Sequence, residues 1–139
     1  MGTRLQGGLI SLIAVGGGDG GAIANSLAAW TLSPGKTAVI KKIMWLNRIV
    51  ANAGLLVGFE DLTAIGGLFR QVLPTIQMVT GVDGEMNEED LPICGNTPDG
   101  FKADTVVPTG SLGAIMVQTD GAAGAAPNDV QVIIEVEEH

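Results

Sequence analysis

The chain has no tyrosine, one cysteine (Cys94), one histidine (His139), two tryptophans and three phenylalanines in 139 residues. A single cysteine closes no intramolecular disulfide, so packing or assembly has to hold the fold. With no histidine inside the chain, Cys94 has no base to activate it, and no Cys/His cluster is available for zinc. So few aromatics leave little for a sugar-stacking platform, and Trp30 and Trp45 read instead as core or interface anchors. Positive charge is scarce as well: seven Lys+Arg against fifteen Asp+Glu give a net charge of −8. Such a chain offers phosphates no cationic field. No uncharged apolar run approaches the ~20 residues that cross a bilayer; the nearest, Leu5 to Gly18, is broken by glycines. Together these shortages predict a protein that is not an enzyme, with no cofactor, no metal, and neither nucleic acid nor membrane as a direct partner.

What the chain has is apolar residues, 46% of the total, and 21 glycines. That composition excludes a disordered chain, and the length suits one domain. A folded monomer of 14.2 kDa exposes on the order of 6,800 Å². The charged side chains are few for that surface, and contiguous apolar patches mark contacts with partners, so self-association is expected.

Period two dominates the apolar pattern. Val130, Val132, Ile134 and Val136 share one face, opposite Gln131, Glu135 and Glu137. Leu112, Ala114 and Met116 alternate with Gly113, Ile115 and Val117, so that strand is apolar on both faces. In the run Thr37 to Arg48, Val39, Ile43 and Trp45 are expected on one face and Ile40, Met44 and Leu46 on the other. A strand apolar on both sides is central or is covered by a neighbouring subunit. Val72, Ile76 and Met78 form a further run, in which Pro74 predicts an edge or a bulge. Breakers such as Ser33-Pro34-Gly35-Lys36, Asn52-Ala53-Gly54 and Gly66-Gly67 separate the runs. The best helical candidate, Gly21 to Trp30, is alanine-rich but has Asn25 and Ser26 inside it. The spacing predicts an all-β fold: a single-domain antiparallel β-sandwich, jelly-roll-like, with about eight strands. They fall near 5–15, 27–32, 37–48, 54–60, 68–79, 102–107, 112–119 and 129–137, with 1–21 a glycine-rich arm or first strand.

Two local patterns invite chemistry. Gly16, Gly18 and Gly21 satisfy G-x-G-x-x-G after the apolar run Leu9 to Val15, the arrangement that cradles a pyrophosphate. The acidic residue due about twenty positions later is missing, and Lys36, Lys41 and Lys42 occupy that region. The glycines therefore read as a flexible loop. The same segment could be read as a signal peptide, with Arg4, the core Leu9 to Val15 and Ala22-Ile23-Ala24. Asp19 and the glycine run fit that poorly, and it is taken as mature structure. The second pattern is Asp83, Glu85, Glu88, Glu89 and Asp90. It lacks the glycine and spacing of an EF-hand and reads as a solvated loop with one turn of helix capped by Asn87.

Taken in order, the chain resembles a known group. A basic long strand, Lys41-Lys42-Ile43-Met44-Trp45, is followed by an Asn-Ala-Gly turn and a short strand ending Gly58-Phe59-Glu60. A Leu73-Pro74 strand, the acidic Glu88-Glu89-Asp90-Leu91-Pro92 segment and the ending Val136-Glu137-Glu138 complete it. Over residues 27–138 this is similar to the small jelly-roll decoration, or cement, proteins of tailed bacteriophage capsids. The resemblance implies a homotrimer on the outside of an icosahedral shell, made in the host cytoplasm and bound to the major capsid protein. It carries over no catalytic residue. The start, Met1 to Gly21, has no counterpart in that group and is expected to be an arm reaching a neighbour. Leu9, Ile10, Leu12, Ile13, Trp30, Met44, Trp45 and Leu46 are the expected interface residues. The alternative function is a ligand- or glycan-binding β-sandwich module using the acidic loop 83–90.

Overall fold

Four β-branched side chains two residues apart make a comb that only an extended backbone can point one way. The computed structural model describes residues 3–12, 14–31, 37–61, 67–71, 73–87, 101–102, 112–121 and 129–138. In it, Val130, Val132, Ile134 and Val136 lie on strand β11 (Val130–Glu138), each no more than 1% exposed. Burial of that kind contributes roughly 1.5–3 kcal/mol per side chain.

Ten more strands precede it: β1 (Thr3–Gln6), β2 (Ile10–Leu12), β3 (Leu27–Thr31), β4 (Thr37–Asn47), β5 (Ala53–Asp61), β6 (Leu68–Gln71), β7 (Ile76–Met78), β8 (Asp83–Asn87), β9 (Phe101–Lys102) and β10 (Leu112–Thr119). One sheet runs β1–β11–β4–β8, with β2 also on β11 and β9 also on β4. The other runs β3–β10–β5–β6, with β7 also on β5. Every ladder is antiparallel. Eleven segments thus fill eight strand positions in two facing sheets, a jelly-roll-like β-sandwich. Ile40, Ile43, Leu55, Val57, Ile115, Val117 and the β11 comb close the main core between the sheets.

The expected strand at 68–79 is two strands on the edge of its sheet. Leu55 pairs with Ile76 and Gly58 with Gln71, so five residues of this strand span three of β5. Exposed Pro74 sits in the bulge, which Gln71 stitches by donating to the carbonyl of Leu73 (2.8 Å) and to Thr75 Oγ1 (3.0 Å).

Three expectations are corrected. In β4 the alternation slips: Glu135 pairs with Lys42 and Val136 with Ile40, leaving Lys41 as a bulge. Ile40 therefore turns inward to join Ile43, whereas Val39 is only half-buried. Residues 83–87 are not a loop running into a helical turn but strand β8, laddered to β4; residues 88–90 lie outside the described residues. No helix forms between Gly21 and Trp30. Asn25 takes a left-handed φ of 66° there, and Leu27–Thr31 pairs with β10. Of the expected strand at 102–107, residues 103–107 lie outside the described residues, as does Cys94.

The glycine-rich start, expected to be an arm or a first strand, supplies strands: β1 and β2 both pair with β11 of its own chain. After β2, residues 14–26 cross the outer face of the second sheet as a strap. Gly16 donates to the carbonyl of Thr119 (2.9 Å), Gly20 donates to that of Phe69 (2.7 Å), and the N–H of Phe69 returns to the carbonyl of Gly21 (2.9 Å). Ile23 then packs on Leu56, Phe69, Ala114 and Met116, a second small core. β5 and β10 are apolar on both faces because both faces are covered.

Candidate functional site

The other sheet has no such strap among the described residues, and its outer face can be read strand by strand from the registers. Ser11 pairs with Gln131, Gln131 with Leu46 and Leu46 with Asp83, which makes one row across four strands. The next row runs Ile133, Met44 and Glu85, with Leu9 beside Ile133 at the end of β2. A third row, Glu135, Lys42 and Asn87, is polar. Gln131, Leu46 and Asp83 of the first row, with the second row, line a groove of about 380 Å³, with an apolar floor and two carboxylates at the β8 end. Leu9 is 60% exposed in it, and Met44, Leu46 and Ile133 are half-buried.

Charge along this face is unevenly paired. Lys42 Nζ lies 3.1 Å from Glu85 Oε2, and Lys41 Nζ lies 3.9 Å from Glu137 Oε1. Asp83 has no ion-pair partner among the described residues.

The expected interface residues divide between surface and core. Leu9, Met44 and Leu46 line the groove. Ile10 packs half-buried on the main core. Leu12 is wholly buried in that core, so no partner reaches it in the folded chain. Trp45 is a groove residue that also packs on the main core, and its indole lies over Gly84, where a Cβ would meet Cζ2 at 2.5 Å. Only glycine leaves room for that ring. Trp30 leans on the core and donates from Nε1 to Glu138 Oε1 at 2.9 Å. Ile13 lies outside the described residues.

Sequence reading missed Ile133 and Gln131 as groove residues, although a signal was present: Ile133 is the one apolar residue on the polar side of β11. Asp83 and Glu85 were read as acidic, but as loop residues.

The glycine motif makes no phosphate cradle. Its amides are already committed: Gly16 to Thr119, Gly18 to Gln118 Oε1 (2.8 Å), Gly20 to Phe69 and Gly21 to the carbonyl of Gly18 (3.1 Å). No helix follows, so no dipole points at the loop. A Cβ on Gly16 would collide with buried Gln118, whose Nε2 is held on Ser26 Oγ (2.6 Å).

One further charged group is buried beside the groove. Asp129, 1% exposed, accepts from Arg48 Nε (2.8 Å) and Nη2 (2.5 Å) and from Ser11 Oγ. Burial pushes its pKa upward, but the Ser11 and Arg48 bonds outweigh that and hold the carboxyl below its usual range. The triad ties the end of β4 to the start of β11 and to β2. Among the described residues no group of three or more His, Cys, Asp and Glu is placed to hold a metal ion, and no helix is long and apolar enough to cross a membrane.

No protein-family model matches this chain, and no curated protein matches it.

Proposed function

We propose that this chain is a structural virion protein, a decoration or cement protein that self-associates as a trimer and binds the major capsid protein from outside an icosahedral shell. The observation that carries the reading is the unequal cover of the two sheets. Among the described residues, one outer face carries the chain's own strap, and the other presents Leu9, Met44, Leu46 and Ile133 in a groove. A rigid β-sandwich with one apolar face works mechanically. Each copy removes apolar surface of its neighbours from water, at about 25 cal/mol per Å² before association costs, and repetition over a shell multiplies the gain.

Size-exclusion chromatography with light scattering at micromolar concentration tests self-association; a trimer is expected, and a monomer overturns it. Co-sedimentation with shells of the phage whose genome encodes the chain tests the capsid role. Saturable binding is expected, and protein left wholly in the supernatant refutes it. Genes flanking this one should encode capsid and portal proteins.

A further inference from the structure

The groove has a direction. Its two rows run from apolar side chains on β2, β11 and β4 to Asp83 and Glu85 on β8. Neighbouring strands lie ~4.8 Å apart, so three spacings span about 14 Å, the length of roughly four residues of extended chain. We propose that this groove docks an extended segment of a partner protein in which an apolar residue stands two positions before a lysine or arginine. The apolar side chain settles over Leu46 and Ile133. Its neighbour two residues on, ~7 Å further along, is long enough to bring a cation to Asp83.

Charge complementarity selects this occupant. Glu85 already has Lys42 at 3.1 Å, whereas Asp83 has no ion-pair partner among the described residues. A cation arriving at the β8 end therefore gains a carboxylate without displacing any cation among the described residues. The net charge of −8 likewise favours a segment that carries cations. The inference rests on the reading of the chain as an assembly protein and names what its larger partner contributes to the contact.

The probe is a fluorescein-labelled peptide, Ser-Leu-Ser-Leu-Ser-Lys-Ser-Lys-Ser, set against the same peptide with glutamates for lysines. Anisotropy at low salt should show the lysine peptide binding about tenfold tighter, with the gap closing as salt rises. Asp83→Asn should weaken the lysine peptide about threefold and leave the glutamate peptide no weaker. Leu9→Ser, at an exposed position that leaves the core intact, should weaken both. Equal binding of the two peptides, no binding of either at millimolar concentration, or variants that bind as the parent does would each overturn the proposal. A trimer that joins shells yet ignores both peptides sinks the groove and leaves the assembly role. A monomer that fails to join shells yet prefers the lysine peptide does the reverse.

Discussion

Asn47 closes β4 inside the protein, fully buried, and its amide serves both loops at that end of the sandwich. Nδ2 donates to the carbonyls of Met78 (3.0 Å) and Ala51 (3.1 Å), and Oδ1 accepts from the N–H of Ile49 (3.0 Å). Asn47→Ala removes all three bonds. The Ala51 carbonyl belongs to an exposed residue and can turn to water, but Ile49 N–H and Met78 C=O stay buried. Each orphaned group costs about 1–3 kcal/mol, which places the loss near 3 kcal/mol. Against a total stability of about 5–15 kcal/mol this is a large fraction, and it corresponds to a fall of roughly 10 °C in Tm for a chain of this size. Asn52 is the control. It is exposed and accepts one bond, from Thr80 N–H at 3.0 Å, so Asn52→Ala should cost under about 1 kcal/mol. Urea unfolding followed by tryptophan fluorescence measures both. A loss below about 1 kcal/mol at Asn47, or equal losses at the two sites, would refute the argument that burial sets the cost.

Asp129 makes stability depend on acid: its folded pKa lies below the unfolded value, so its contribution is full above about pH 4 and disappears as pH falls through the folded pKa. Asp129→Asn should accordingly cost about 2 kcal/mol at pH 7 and progressively less toward pH 2; a pH-independent gap between the two Tm profiles would contradict this. Gly16→Val should expel Gln118 from its bond with Ser26, cost about 1–3 kcal/mol and speed hydrogen exchange at Gly18 and Gly20; unchanged exchange there would show that the strap does not depend on this contact.

How much of this was legible in the residues differs from strand to strand. The β11 comb was fully legible, because nothing interrupts its alternation and the face it buries is uniform. β4 carries an equally strong pattern, but a bulge at Lys41 shifts the inward set by one, and a bulge is fixed by the partner strand rather than by local sequence. β8 was hidden by composition. Asp83-Gly84-Glu85 is a poor strand by propensity, yet β4 supplies the ladder and the Trp45 ring fills the space over Gly84. The glycine run read as a loop because its partners, Gln118 and Phe69, lie far along the chain.

The same strap changes what the apolar composition means. A chain with so many apolar residues and so few charges was expected to carry surface that only other subunits could cover. Part of that surplus is consumed internally, since Leu56, Phe69, Ala114 and Met116 are buried on the outer side of a sheet by Ile23 and the backbone of the glycine segment. Glycine is suited to this, because a strap without side chains lets its amides reach Thr119 and Phe69 directly. Among the described residues the remainder sits in the groove, at Val50, Val79 and Val82 on the loops that Asn47 ties together, and at Val15 and Leu27 on the strapped side. Among the described residues, a strap over one face and an apolar groove on the other give the sandwich two unlike sides, and that difference fits the proposed attachment to a surface better than an apolar excess alone.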